Sequence, residues 1–246
     1  MSYHEFAAFY DLLQADVNYD ARADYLMSLF SKYDRLPTLL LDVACGTGGF
    51  SLRFKKRGID VIGVDPSYEM LSIARQKAAE SGTDILLLCQ SAAELDLYGT
   101  VDGAVCCLDS VNHITNKKEL QESFNKISLF LEKDRLFIFD VNTIYKHENV
   151  LSGNTFVSEN DEVFCVWRNS ECSKENTVDI RLDFFEKAKG SYQRYSEEFS
   201  ERAYTDCELK EMLDTAGLSV VSVLGDMTVN QPKETEERVI YVTRKR

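Results

Sequence analysis

Asp42 closes the apolar run Leu39-Leu40-Leu41 and is followed by Val43-Ala44-Cys45-Gly46-Thr47-Gly48-Gly49, a glycine-rich turn that leads into an amphipathic segment. A buried parallel strand ending this way presents a carboxylate and a flexible bend at the carboxyl rim of a sheet, where open α/β sheets bind ligands. Glycine adopts backbone angles that other residues resist, and it lets main-chain N–H groups approach a bound molecule closely. A second carboxylate, Asp65, lies 19 residues after Gly46, at the end of Ile59-Asp60-Val61-Ile62-Gly63-Val64. A βαβ unit uses about that separation to set an acidic side chain on the two hydroxyls of a ribose. The pair implies a ligand with a nucleoside part.

Two cofactor classes use this arrangement. A dinucleotide site calls for Gly-x-Gly-x-x-Gly, with a small third residue for close helix packing. The pattern here is Gly46-x-Gly48-Gly49-x-Ser51, which lacks the third glycine. A carboxylate just before the turn also repels a pyrophosphate, whereas it pairs with an ammonium group such as that of S-adenosylmethionine. The stretch Leu41-Asp42-Val43-Ala44-Cys45-Gly46-Thr47-Gly48 resembles motif I of the class I S-adenosylmethionine-dependent methyltransferases, acidic-x-Gly-x-Gly-x-Gly. It meets the pattern at Asp42, Gly46 and Gly48 and departs from it at Ala44.

The elements that must position these residues follow in order. The first 35 residues read as helical, with Phe6, Phe9, Tyr10 and Leu13 on one face, then Leu26, Leu29, Phe30 and Tyr33 after a break at residues 16–20. From Leu36, strand and helix alternate. Helices are expected over 49–57, stopped by Gly58, and after Ser67 as cap, ended by Gly82. Strands are expected at 84–89, 101–108 and 135–141. Asn116 with Glu119, and Thr205 with Glu208, have capping-box spacing. From Thr155 to Tyr204 the period changes. Thr177 to Phe184 alternates polar and apolar residues, as in a half-exposed antiparallel strand, and 163–168 and 191–195 read as its partners. Two final strands, 219–224 and 238–243, resemble the closing hairpin of the methyltransferase core.

The fold expected is therefore α/β: a Rossmann-like, seven-stranded methyltransferase sheet, last strand antiparallel, with a small antiparallel β insert after the fifth strand. The division is an N-terminal helical cap (1–35), a cofactor-binding core (36–150 and 205–246), and an inserted subdomain (151–204) that roofs the substrate, acts as a lid or dimerises.

Composition narrows the function. Residues are 44% hydrophobic and 28% charged, ordinary for a globular protein, and no apolar run reaches the length of a membrane span. The start, Met1-Ser2-Tyr3-His4-Glu5-Phe6, lacks the pattern of a signal peptide, so a cytoplasmic location is expected. The net charge of −13 lowers the expectation of a nucleic-acid substrate. Seven cysteines without a Cys-x-x-Cys pair read as reduced core thiols, and no zinc spacing, P-loop or metal helix is present, so no metal is expected.

The resemblance implies S-adenosyl-L-methionine as cofactor and S-adenosyl-L-homocysteine as product. It implies that Asp42, Gly46 and Gly48 hold the methionine end, with Ala44 and Thr47 as further cofactor contacts and Tyr10 and Tyr19 capping the active site. Asp65 falls at the ribose and Ser91 and Ala92 at the adenine, with Pro66, Met70, Gln90 and Leu108 as further cofactor contacts. Relatives commonly carry an acidic residue at the position of Ser91 and a histidine at that of Phe199, so those roles do not transfer directly. Weaker signatures stand at Trp167, Arg194, Arg202 and Tyr204.

Methyl transfer from a sulfonium is an in-line displacement, in which the protein chiefly aligns the reactants and excludes water. A base is needed only where the nucleophile holds a proton. His113, just past the fourth strand, is the candidate base, with packing or capping as its other reading. Asp109 and Asn112 are candidate acceptor contacts, with Arg194 and Tyr195 possible contributors from the insert; His4 and His147 have weaker cases. The leading reading is a methyltransferase acting on a small molecule. Its rivals are an RNA- or protein-directed methyltransferase, a non-catalytic S-adenosylmethionine-binding regulatory module, and an NAD-dependent oxidoreductase. A homodimer through Trp167 and Phe184-Phe185 is a further expectation.

Overall fold

A computed structural model describes residues 6–246, with the side chains of Phe6 and Ala8 excepted. Tyr3 and His4, and the placement of Phe6 on the first helical face, lie outside the described residues.

The core sheet is built from β1 (Leu39–Val43), β2 (Asp60–Asp65), β3 (Leu86–Cys89), β4 (Gly103–Cys106) and β5 (Leu136–Asn142). Around it run α1 (Phe6–Leu13), α2 (Tyr19–Tyr33), α3 (Gly49–Lys56), α4 (Tyr68–Glu80), α5 (Ser110–His113) and α6 (Lys117–Phe130). A short α7 (Ile144–Lys146) continues into a π-turn (His147–Leu151). Then come the inserted strands β6 (Thr155–Glu159), β7 (Val163–Asn169), β8 (Thr177–Ala188) and β9 (Ser191–Arg202). The chain closes with α8 (Asp206–Thr215), β10 (Leu218–Gly225) and β11 (Arg238–Lys245).

Seven strands form one sheet in the order β10-β11-β5-β4-β1-β2-β3, with β11 antiparallel to both neighbours and the others parallel to β1. Chain order reverses between β1 and β4, and the crevice beyond such a reversal is where open α/β sheets take ligands. The expected seven-stranded sheet and its antiparallel last strand are both present.

Successive strand residues feed opposite faces of the sheet. Leu40, Val105 and Ile138 join Phe30 and Phe54 of α2 and α3, while Leu41, Ala104, Phe137 and Phe139 pack with Phe124 of α6 and Leu209 of α8. The helix ends follow local chemistry. Ser67 accepts from the Met70 N–H at 3.2 Å, and Gly58 and Gly82 take φ of +83° and +63° beyond their helices. Thr205 and Glu208 make a full capping box. Asn116 caps α6 through the Lys118 and Glu119 N–H groups, but Glu119 turns toward a cavity rather than back to the cap.

The insert is a four-stranded antiparallel sheet, β6-β7-β8-β9, one strand more than the alternation pattern indicated. Its apolar face (Val178, Ile180, Leu182, Phe184) packs with Ala7 and Phe9 of α1 and with Met70 of α4.

Candidate active site

The turn after β1 is left-handed three times, at Ala44 (φ +55°), Gly46 (+54°) and Gly48 (+78°). An L-residue in that region is strained by roughly 1 kcal/mol or more, so Ala44 keeps the backbone path of the expected glycine at a penalty. Gly49 admits the Tyr19 ring, whose Cε1 lies 2.5 Å from where a Cβ would sit.

β1 and β2 are parallel neighbours with Asp42 opposite Gly63, so Asp42 and Asp65 leave the sheet on the same face, at the same rim. Asp42 is 2% exposed and accepts from the Ser51 hydroxyl at 2.5 Å. The residue standing where a dinucleotide fold needs its third glycine therefore holds the carboxylate. Burial pushes the Asp42 carboxyl up to about 7; the Ser51 hydrogen bond opposes this, and the charge of Asp65 adds to it. Asp65 accepts from the Gly46 and Ser67 N–H groups at 2.9 and 2.8 Å. Burial raises its carboxyl, opposed by those two bonds and by His113.

Between these carboxylates and α6 lies a cavity of about 430 Å³, within the range of about 300–1,000 Å³ usual for ligand pockets. Tyr10, Ala44, Gly46, Asp65, Pro66, Met70, Ser91, Ala92, Leu108 and His113 all line it. Tyr19 and Asp42 line a smaller neighbouring space, shared with Tyr10, Ala44 and Leu108. Burial raises both phenols, Tyr19 to about 12, and the two are hydrogen-bonded to each other. Thr47, Gly48 and Gln90 shape the walls without lining either space. Thr47 donates to Asp11 of α1 at 2.8 Å, and the Gln90 amide brackets the Asp96 backbone at 3.1 and 3.3 Å. Ser91 donates to Glu94 at 3.0 Å, which sets a carboxylate beside it.

The turn after β4 is the most constrained part of the rim. Leu108 and Asp109 are both left-handed, at φ +55° and +53°. Their N–H groups donate to the two oxygens of Asp140 at 2.7 and 2.9 Å. Arg238 of β11 bonds Asp140 and also Asp109, the latter at 2.5 Å. Burial would raise the Asp109 carboxyl, but Arg238, Lys146 and His113 outweigh it and hold the group below its usual range. Burial would lower the Arg238 guanidinium, but Asp109 and Asp140 outweigh it and raise the group. Asp109 is thus an ion-paired anchor of this turn rather than a free acceptor contact.

Asn112 is fully buried. Its amide donates to the Asn142 and Arg202 carbonyls at 3.0 and 2.9 Å and accepts from the Asn142 N–H at 2.9 Å. It ties α5 to β5 and β9 and does not line the cavity. His113 does. Its ring stacks on Phe199 (centroids 5.0 Å apart, 29° between planes), and its Nε2 stands 3.6 Å from Glu201 Oε1. Ligand atoms of Asp109, His113 and Glu201 all lie within 4.8 Å of one another, a grouping the sequence did not announce.

Arg194 and Tyr195 are neighbours on β9 and so project to opposite faces. Tyr195 packs inward, its ring 5.4 Å from Phe9, and donates to Glu186 at 3.3 Å. Arg194 lies on the outer face, bound to Asp183 at 2.7 and 3.0 Å, and does not line the cavity. The insert reaches the site instead through Phe199 and Glu201. Phe184 stacks on Phe9 at 4.9 Å and is buried, so it is not an exposed dimerisation residue. The cysteines are free thiols, with Cys106 and Cys107 buried as expected.

Comparison with known proteins decides the family. The "Methyltransferase domain" family matches residues 40–134. A protein of Geobacillus sp. (strain WCH70) described as a methyltransferase is 33% identical over 100% of both chains. The Bacillus subtilis (strain 168) protein YqeM, described in the same way, is 31% identical over 100% of this chain and 98% of its own length. The crystal structure of an S-adenosylmethionine-dependent methyltransferase from Clostridium acetobutylicum ATCC 824 covers 99% of this chain and 98% of its own, with 32% identity and a TM-score of 0.89.

The chain belongs to the class I S-adenosylmethionine-dependent methyltransferases.

S-adenosyl-L-methionine is accordingly the cofactor of this methyltransferase, and the residues at the rim fit it. A buried carboxylate with a raised pKa and one hydroxyl partner suits a cationic ligand group. The cavity beside it has the volume of a small-molecule site. Two of the residues that hold the turn after β4, Asp140 and Arg238, had no signal in the sequence. Arg238 reaches Asp109 from 129 positions away, and Asp140 reads only as the end of an apolar strand.

Proposed function

We propose that this methyltransferase acts on a small molecule that enters beside His113, and that it does so in the cytoplasm. The supporting observation is the site itself: a cavity of about 430 Å³ with Asp65 and Glu119 in its walls, in a chain of net charge −13. Nucleic-acid partners are usually met by a basic face. Among the described residues no helix is long and apolar enough to cross a membrane.

In this reading Asp42 pairs with the cofactor's ammonium and Asp65 accepts from both ribose hydroxyls through lone pairs that Gly46 and Ser67 leave free. Ser91, Ala92 and Leu108 border the adenine. Tyr10 and Tyr19, kept protonated, donate to the cofactor's carboxylate. The bound cofactor supplies a methyl on a positive sulfur, already a good leaving group. The protein's part is to align the acceptor with that methyl and to keep water out. Asp140 and Arg238 do this by fixing the turn at Leu108 and Asp109. The core, the helical cap and the insert keep their expected boundaries in this proposal, with the insert shaping the acceptor side through β9. A homodimer would form through the outer face of the insert, where Val157 is exposed.

Asp65→Ala tests the cofactor assignment. The variant should bind S-adenosylhomocysteine about 1–3 kcal/mol more weakly by calorimetry, about 5- to 150-fold; unchanged affinity rejects the assignment. Methyl transfer from labelled cofactor into the small-molecule fraction of a cell extract, rather than into RNA or protein, supports the acceptor class. Label confined to macromolecules overturns it.

A further inference from the structure

We infer that Glu201, delivered by β9, positions His113 as the proton acceptor of methyl transfer, and that His147 anchors Glu201 from behind through one shared proton. The role of His113 rests on the proposal that the acceptor enters beside it; the His147–Glu201–His113 array stands on geometry alone.

Glu201 is 2% exposed and lies between two imidazoles. Its Oε1 is 3.6 Å from His113 Nε2, and its Oε2 is 3.6 Å from His147 Nε2. Asn142 donates to Oε2 at 3.2 Å. His147 is fully buried, with Nδ1 3.1 Å from the Asn176 carbonyl oxygen, which only accepts, so Nδ1 carries a hydrogen. Its Nε2 has no hydrogen-bond partner. Without a proton between them, Nε2 and Oε2 would be two buried lone pairs facing each other, an arrangement that buried polar groups avoid. A proton on Nε2 gives that atom its partner and, with the Asn142 bond, fixes the carboxylate, leaving Oε1 for His113.

The ring of His113 is held as well. Phe199, two residues before Glu201 on β9 and therefore on the same face, stacks against it. The other charges that face His113 are Asp65 from β2 and Asp109, and Asp109 is already neutralised by Arg238 and Lys146. With Nε2–H turned to Glu201, Nδ1 is the nitrogen left for the acceptor. As the acceptor's lone pair forms the bond to the methyl carbon, the C–S pair goes to sulfur and the nucleophile's proton goes to Nδ1. Glu201 balances the imidazolium that results. The acceptors this suits carry a hydrogen on the attacking atom, an amine or a hydroxyl.

The same three groups, Asp109, His113 and Glu201, have the spacing of a metal site. The Arg238 guanidinium on Asp109 already supplies a cation there, so the geometry favours the proton-holding role.

The test uses ring-nitrogen NMR, which the count of three histidines in the chain makes tractable. Spectra are recorded with His113 neutral, with and without S-adenosylhomocysteine. The expected wild-type result is the Nε2–H tautomer at His113 and a downfield proton coupled to His147 Nε2. In Glu201→Gln the downfield proton disappears and His113 becomes a mixture of tautomers, while Glu201→Asp retains part of both signals. His147 with a bare Nε2 in the wild type overturns the proposal without any variant. So does a Glu201→Gln spectrum with an unchanged His113 tautomer. Displacement of the His113 and Glu201 signals by added Zn²⁺, reversed by EDTA, replaces it with a metal site. The acceptor proposal fails separately, through the labelling experiment, with these spectra intact.

Discussion

Asp42→Asn should make the protein more stable and its cofactor site weaker, two effects of opposite sign from one atom change. The Asp42 carboxyl is buried and raised from 3.8 to about 7. At about 1.4 kcal/mol per tenfold change in proton affinity, keeping it ionised in the folded chain opposes folding by about 4 kcal/mol. The folded pKa is raised, so between pH of about 4 and 7 the folded chain holds a proton that the unfolded chain has lost. This group's stabilisation is fully present below about pH 4 and is lost as pH rises through about 7. Asparagine removes the titration while keeping the shape and a hydrogen-bonding oxygen near Ser51. Denaturant melts of both proteins at pH of about 5.5 and 8 isolate this term from the other carboxylates. The variant should gain about 1–4 kcal/mol over wild type at the higher pH and less at the lower. Affinity moves the other way. In the proposed binding mode the cofactor's ammonium favours ionised Asp42, so wild-type affinity should rise with pH up to about 7 and then level off. Calorimetry should show the asparagine variant weaker by about 1.5–3 kcal/mol, without that rise. An asparagine variant less stable than wild type at pH of about 8, or a wild-type affinity flat across this range, refutes the reasoning.

Two other substitutions bear on the rim. Arg238→Met leaves Asp109 and Asp140 buried without their cation, so stability should fall by about 3–5 kcal/mol, with activity lost in parallel. The loss should shrink as pH falls, because the Asp109 pairing stabilises above the usual carboxylate range and fades as the group protonates; a loss independent of pH counts against the ion pair. Ala44→Gly should leave stability unchanged or raise it by up to about 1 kcal/mol, because φ at Ala44 is +55°. A loss of about 0.5–1 kcal/mol in urea melts, the usual result of placing glycine in an ordinary conformation, would mean that Ala44 is not left-handed in solution.

Much of the architecture was legible because it is written in short-range periodicity. The apolar runs of β1, β2 and β5, the caps at Ser67 and Thr205, and the switch to a period of two after Thr155 all depend on residues within a few positions of one another. Asp42 and Asp65 were readable together because a βαβ unit fixes their separation. The contacts around the turn after β4 were not, because they are long-range. Arg238 meets Asp109, and Asn112 meets Arg202, only once β11 and β9 are in place. Glu201 follows Glu197 and Glu198 in a run that looks solvated, and only the insert's packing buries it. Arg194 and Tyr195 show the opposite case: strand alternation alone forbids both from facing one site, and the sequence already contained that information.

The Asn112 amide ties the insert to the core through one hydrogen bond, to the Arg202 carbonyl, while two more hold α5 on Asn142 of β5, so prising β9 away from α5 would break the first and leave the Arg202 carbonyl without that donor. At α1 the fastening is apolar: Phe9 is buried and stacks on Phe184 at 4.9 Å, and exposed Asp11 adds polar contacts to Lys77 at 2.5 Å and Thr47 at 2.8 Å that contribute little. Core and insert are thereby fastened at two places, β9 and α1, and neither can shift without uncovering buried groups.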